Sequence, residues 1–133
     1  MASIITSSFK INLKILNCDL CEFQKGNPYN TNCSIEIYSN GFYGCTIFLI
    51  NYKDLVLFIN NLKDMYNNLS GKTSIKDYDY GSWLKIECDI VGNFIFSGLL
   101  INDSFQEFKF INKLDQTYLN DFLYNLTNEI ELL

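Results

Sequence analysis

Apolar and polar residues alternate along several stretches of the chain, which is the pattern of a strand with one buried face. In the first stretch, Phe9, Ile11 and Leu13 alternate with polar residues. Similar patterns predict further strands over residues 33–39, 42–50, 72–76, 84–90, 94–101 and 105–111. Asn40-Gly41 separates two of them and favours a tight hairpin, because both residues accept positive φ. The 94–101 stretch is apolar on both faces, which indicates a central strand.

Residues 51–69 change to a helical period, with a buried stripe that includes Leu55, Phe58 and Leu62. Asn51 is the predicted N-cap, and Gly71 is the predicted left-handed residue that ends the helix. Asp115 is predicted to cap a second helix. The buried stripe of that helix is predicted to consist of Leu119, Phe122, Leu123 and Leu126.

Short turns between consecutive strands imply antiparallel pairing. We therefore expect an α+β fold in which one antiparallel sheet of about six or seven strands packs two helices on one face, in two layers. The length of 133 residues lies in the range of one domain. Since no internal repeat, linker or low-complexity run is visible, a single domain over residues 1–133 is predicted.

The net charge is −5 and the isoelectric point is about 4.5. With no basic patch in the sequence, binding to nucleic acid or to an anionic membrane surface is disfavoured. An acidic protein suits a basic protein partner, although a modest negative charge also simply aids solubility. The odd count of five cysteines and the lack of a signal-like or membrane-spanning segment favour a cytoplasmic protein.

Candidate catalytic chemistry is sparse. The chain has no histidine, and it lacks a phosphate-binding loop, so we expect a protein that is not an enzyme and needs no cofactor. Two carboxylate pairs, Asp77 with Asp79 and Glu87 with Asp89, leave open a metal-dependent hydrolase. A solvated sheet face or charged turn is the favoured interpretation of both pairs.

Cys18-Asp19-Leu20-Cys21 has the spacing of a zinc-binding or thiol-exchange motif. Cys33 and Cys45 could complete a zinc site, but they do not form a second pair with this spacing. Cys45 and Cys88 stand where apolar strand residues belong. The favoured interpretation is that the cysteines are structural, with a site at Cys18 and Cys21 as the alternative.

The segment from residue 77 to 83 concentrates acidic and aromatic side chains. Tyrosine and tryptophan are enriched at protein interfaces, and carboxylates complement lysine or arginine on a partner. We therefore predict a partner-binding site, with the alternative that some of the aromatic residues are part of the core. The candidate residues are Asp77, Tyr78, Asp79, Tyr80 and Trp83.

Several short motifs follow one another in a characteristic order along residues 9–126. They are Ser39-Asn40-Gly41-Phe42-Tyr43-Gly44, Asp54-Leu55, Leu69-Ser70-Gly71, Ser82-Trp83-Leu84-Lys85-Ile86, Gly92-Asn93-Phe94-Ile95, Ser97-Gly98 and Asp115-Gln116-Thr117-Tyr118-Leu119. This order resembles the WapI-type family of bacterial immunity proteins, or a related group of uncharacterised small bacterial proteins. The resemblance implies a cytoplasmic protein that binds and neutralises a nuclease-type toxin domain.

A basic toxin domain would complement an acidic inhibitor. The alternatives are a small zinc or redox protein and a structural or oligomeric protein. Both a monomer and a homodimer are compatible with the sequence.

Overall fold

The computed structural model describes all residues from 1 to 133 and has an α+β fold with two antiparallel sheets of four strands each. The first sheet contains β1 (Ala2–Ile5), β2 (Phe9–Cys18), β3 (Thr31–Ser39) and β4 (Phe42–Ile50). The second contains β5 (Lys72–Lys76), β6 (Trp83–Cys88), β7 (Phe94–Ile101) and β8 (Glu107–Leu114). The helices are α1 (Leu20–Gln24), α2 (Tyr52–Asn68) and α3 (Leu119–Glu131), and a 3-10 turn at Gln116–Tyr118 leads into α3.

Both sheets are meanders, in which each strand pairs with the next strand along the chain. The β3–β4 hairpin has the predicted two-residue turn, with Ser39 opposite Phe42 and positive φ at Asn40 and Gly41. In the second sheet, β7 lies between β6 and β8, which confirms the prediction of a central strand.

The chain consists of two halves, and each half contains four strands followed by a long helix. The short helix α1 is an insertion between β2 and β3 of the first half. Each of these helices packs beside the first strand of the other half. The helix α2 contacts β5, whereas α3 contacts β1, and the two helices also contact each other.

The caps follow the sequence in part: Asn51 caps α2 as predicted, whereas Asp115 caps the 3-10 turn that precedes α3, and α3 itself begins after Tyr118 without a side-chain cap. The Asn51 side chain accepts a hydrogen bond from the Lys53 amide at 2.9 Å, and the Asp115 carboxylate accepts one from the Thr117 amide at 2.9 Å. The left-handed residue that ends α2 is Leu69, with φ 53°, and not Gly71 as predicted. The predicted stripe of α3 is buried.

The prediction of a single sheet with two helices was wrong, because β4 and β5 do not pair. The 17-residue helix α2 separates them, and the turn after β5 meets β4 instead. There the Tyr78 amide donates to the Leu49 carbonyl at 2.9 Å. Gly44 of β4 lies against the Phe108 side chain of β8, so the two sheets approach each other closely at this point.

Three smaller expectations also need correction. The strand β1 and the short helix α1 were not predicted. Ile90 lies fully exposed in a turn after β6, because the Asp89 carboxylate accepts hydrogen bonds from the Val91 and Asn93 amides and ends the strand. Phe105 lies in the turn before β8 and not in the strand itself.

One cluster of 27 buried apolar residues draws on both sheets and both long helices. Three rings join these parts in sequence. The Phe9 ring centroid lies 5.7 Å from that of Phe96, which in turn lies 6.3 Å from that of Phe122. These contacts join β2 to β7 and β7 to α3. None of the helices combines the length and apolar character that crossing a bilayer requires.

Candidate functional site

Four of the five predicted partner-binding residues lie in the connection between β5 and β6, and Asp77 organises this connection from the inside. Its side chain is only 1% exposed. One carboxylate oxygen accepts hydrogen bonds from the Leu49 and Asp79 amides at 2.8 and 3.1 Å, and the other accepts from the Tyr80 amide at 2.8 Å. Asp77 thus cannot be the surface contact that the sequence suggested, because its carboxylate is used to join the turn to β4.

Tyr78 lies on the surface at the N-terminal end of α2. Its hydroxyl donates a hydrogen bond to the Asp54 carboxylate at 3.0 Å. This hydrogen bond, together with the negative charge of Asp54, raises the pKa of Tyr78 above its ordinary value. The Tyr78 ring also makes an edge-to-face contact with Tyr29, at a centroid distance of 5.2 Å. The two rings are about half exposed, and they form an aromatic pair with an anionic rim.

Tyr80 forms a second aromatic pair on the same connection. Its ring makes an edge-to-face contact with Phe105 at 5.8 Å, and the Phe105 side chain is 76% exposed. Phe105 has φ 60°, a conformation that is unusual for a bulky residue. The Asn102 side chain holds this turn by accepting hydrogen bonds from the Ser104 and Gln106 amides, both at 3.0 Å. The turn therefore presents a large apolar ring to solvent.

The other two candidates differ in exposure. Asp79 is exposed and lies between Tyr78 and Tyr80 in the sequence, whereas Trp83 is partly buried at the start of β6, where it pairs with Leu99. The structure thus brings three of the five candidates to the surface and adds residues that the sequence did not indicate. We name this surface the acidic aromatic patch; it consists of Tyr29, Asp54, Tyr78, Asp79, Tyr80 and Phe105.

The cysteines do not converge. Cys18 is partly buried at the end of β2, where its sulfur accepts a hydrogen bond from the Thr31 hydroxyl at 3.4 Å, and Cys21 is exposed on α1. Cys33 is buried in the core, and burial raises its thiol pKa well above the ordinary value. Cys45 is exposed on the opposite face of the first sheet, contrary to the prediction that it packs inside. Cys33 and Cys45 therefore cannot complete a zinc site together.

The two carboxylate pairs also separate. Asp77 points inward while Asp79 points outward. In the other pair, the Asp89 carboxylate contacts Lys113 at 3.1 Å, and the Glu87 carboxylate contacts Lys85 at 3.5 Å. No group of three or more cysteine, aspartate or glutamate side chains lies close enough to hold a metal ion.

A hydrogen-bonded chain that the sequence did not reveal crosses the outward face of the first sheet. The Ser3 hydroxyl donates to the Asn12 side-chain oxygen at 2.6 Å, and the Asn12 amide donates to the Glu36 carboxylate at 2.7 Å. The Tyr43 hydroxyl donates to the other Glu36 oxygen at 2.8 Å. The hydrogen bonds from Tyr43 and Asn12 lower the pKa of Glu36, and the hydrogen bond to Glu36 raises the pKa of Tyr43.

This series of side-chain hydrogen bonds spans all four strands of the first sheet, and its members are satisfied by one another, so its evident role is to fix the register of the sheet.

No protein-family model matches the polypeptide, and no curated protein is significantly similar to it.

Proposed function

We propose that this chain is a non-catalytic binding protein that holds a basic protein partner on the acidic aromatic patch. The observation that carries the proposal is the pair of exposed aromatic contacts, Tyr29 with Tyr78 and Tyr80 with Phe105, whose tyrosines Tyr78 and Tyr80 flank the exposed Asp79 in the sequence. Rigid aromatic side chains provide contact area at a low entropic cost, and they are enriched among residues that dominate binding energy.

The conformation of Phe105 supports this assignment. A bulky residue in the left-handed region costs on the order of 1–3 kcal/mol, and such strain is concentrated at ligand-binding sites. Exposure of the same ring to water adds a further cost that a partner would remove. The position of this residue is therefore better explained by a contact with another molecule than by the stability of the isolated chain.

The charge of the patch favours a basic partner. Asp54 and Asp79 stand beside the rings, and the whole chain carries a net charge of −5. Opposite charges accelerate association and disfavour incorrect partners. Together with the resemblance to WapI-type proteins, this charge leads us to the more specific proposal of an immunity protein that neutralises a nuclease-type toxin domain, since a nuclease needs basic residues to hold phosphates.

The test compares capture of proteins from a lysate of the source organism by three forms of the chain. The wild type should retain a basic toxin domain, and high salt should weaken the complex. The variant Asp79→Lys/Tyr80→Ala should lose it. A matched control, Asp121→Lys/Tyr124→Ala on α3, changes the same residue types at exposed positions and should retain it.

Co-expression then tests neutralisation. Cells that produce the captured toxin should survive with the wild-type chain and with the α3 control, and they should die with the patch variant. Equal capture by both variants would place the contact elsewhere on the surface. Hydrolytic turnover by the purified chain alone would contradict a non-catalytic role.

A further inference from the structure

A groove of about 580 Å³ runs between α2 and β5. All five residues of β5 line one side of it. On the other side, Asp54, Leu57, Phe58 and Asn61 follow one face of α2. Leu57 is 56% exposed and provides an apolar wall. The groove is therefore open, and its length follows an edge strand of the second sheet.

The backbone of β5 has an unpaired side along this groove. In an antiparallel pair, residues whose amide and carbonyl groups face the partner strand alternate with residues whose groups face away. The Gly71 carbonyl accepts from the Cys88 amide at 3.0 Å, and the Asp77 amide donates to the Ser82 carbonyl at 2.8 Å. By alternation, Thr73 and Ile75 also face β6. The amides and carbonyls of Lys72, Ser74 and Lys76 therefore point away from the sheet.

Lysines make this edge basic although the chain as a whole is acidic. Lys72 and Lys76 lie on β5, and Lys85 is the cross-strand neighbour of Ser74. All three line the groove, and Asp54 is the only acidic residue that does so. The lysines that form ion pairs within the chain are Lys25, Lys85 and Lys113. Lys72 and Lys76 therefore have no such partner.

A second copy of the chain does not suit the edge. Two antiparallel β5 strands related by a twofold axis at Ser74 would place Lys72 of one copy opposite Lys76 of the other. Like charges directly opposite each other destabilise a strand pair. Carboxylates on an incoming strand would instead lie opposite these lysines, and its alternate side chains would face Leu57.

We propose that β5 binds an extended acidic segment of a partner protein, which adds to the second sheet as another strand. The backbone groups of Lys72, Ser74 and Lys76 supply the hydrogen bonds, and the lysine side chains select for acidic residues. The groove adjoins the acidic aromatic patch and shares Asp54 and Tyr78 with it. The inference nevertheless does not depend on the proposed function, because it uses the backbone and the lysines of β5, which are not part of that patch.

The test uses a fluorescent heptapeptide of alternating glutamate and valine, and its binding is measured by fluorescence anisotropy. One control peptide has the central valine replaced by proline, which keeps the charge but prevents strand pairing. A second has lysine in place of glutamate. A third probe, an oligothymidylate, carries negative charge without a peptide backbone. We expect the acidic peptide to bind about tenfold more tightly than any of the three.

Two variants of the chain locate the site. Ser74→Pro removes an amide that has no partner within the sheet, and proline is tolerated on edge strands. Lys72→Glu/Lys76→Glu reverses the charge of the edge. Each should weaken binding at least about tenfold, whereas Lys14→Glu/Lys53→Glu, which makes the same change of charge at exposed positions elsewhere, should alter it less than about twofold.

Amide hydrogen exchange distinguishes strand addition from charge attraction alone. In the complex, exchange of the Lys72, Ser74 and Lys76 amides should slow, because these amides become hydrogen bonded. No binding at about 1 mM peptide would overturn the proposal. Equal binding of the oligothymidylate, or unchanged amide exchange at β5, would overturn it in favour of a nonspecific polyanion site. A dimer that Ser74→Pro abolishes would overturn it in favour of self-association.

Discussion

The two sheets have the same strand order and the same antiparallel connections, yet their outward faces differ. On the first sheet, Glu36 is held by donors from the neighbouring strands in a hydrogen-bonded chain. On the second sheet, the outward face collects half of the ten basic residues. These are Lys72, Lys76, Lys85, Lys109 and Lys113.

The difference shows that net charge describes a whole chain and not its surfaces. The lysines of the second sheet are dispersed over some forty residues of sequence, and strand alternation brings them to one face. The first sheet thus joins side chains of all four strands in one hydrogen-bonded series, whereas on the second sheet Lys72, Lys76 and Lys109 form no ion pair and are free for contact with other molecules.

The largest expected effect tests whether the two sheets are energetically separable. Phe9 belongs to the first sheet but contacts Phe96 and Phe110 of the second. Phe9→Ala should lower the free energy of unfolding by about 3–5 kcal/mol. The only tryptophan, Trp83, lies in the second sheet, so its fluorescence during urea unfolding reports on that sheet alone. An unchanged Trp83 transition would show that the sheets unfold independently.

The next effect concerns the link between the sheets at Asp77. Asp77→Ala leaves three backbone amides without their acceptor, one of which belongs to β4. We expect a loss of about 2–3 kcal/mol in urea unfolding. The exposed neighbour gives a matched control, since Asp79→Ala should change stability by less than about 0.5 kcal/mol. Equal effects would mean that the carboxylate of Asp77 does not join the sheets.

Two glycines give a more direct comparison of packing in the two sheets. A Cβ at Gly98 would lie 2.5 Å from the Trp83 carbonyl oxygen, whereas one at Gly44 would lie 2.9 Å from the Phe108 ring. The backbone cannot move aside, but a partly buried side chain can rotate. We expect Gly98→Ala to cost about 1–3 kcal/mol and Gly44→Ala less than about 1 kcal/mol, as measured by thermal unfolding. The reverse order would contradict this account.

The smallest effect concerns pH and the first sheet. The Tyr43 and Asn12 hydrogen bonds hold the pKa of Glu36 below its ordinary value of 4.5. The resulting stability is therefore fully present above the unfolded-state pKa and is lost as the pH falls through the lower, folded-state pKa. Unfolding measured between about pH 5 and 3 should depend less on pH in Glu36→Gln than in the wild type. Identical slopes would assign the acid sensitivity to other carboxylates.

Local patterns predicted most of the elements correctly. Strand alternation, the Asn40-Gly41 turn, the Asn51 cap and the buried stripes of both long helices all depend on residues close together in sequence, and the structure confirms them. The division into two sheets depends on whether β4 and β5 pair. Periodicity carries no information on that question, because both strands have one buried and one exposed face in either arrangement.

The candidate site was predicted only in part for a similar reason. Tyr78, Asp79 and Tyr80 are adjacent in sequence and could be recognised as a group. Tyr29 and Phe105 reach the patch from distant turns, so composition alone gave no signal for them. Asp77 has the same residue type as Asp79, and only the three amides that surround it distinguish a buried acceptor from an exposed charge.

Because each long helix packs against the other half of the chain, some contacts of the fold can form only after both halves have been made. Since α3 packs against β1, a strand near the beginning of the first half contacts a helix that is made only after the second sheet. Contacts between such distant parts of a chain form slowly, because a long loop must close before they are gained. During synthesis β1 therefore lacks this helix until the second half has been made, and apolar surface that is exposed in this way is prone to aggregate.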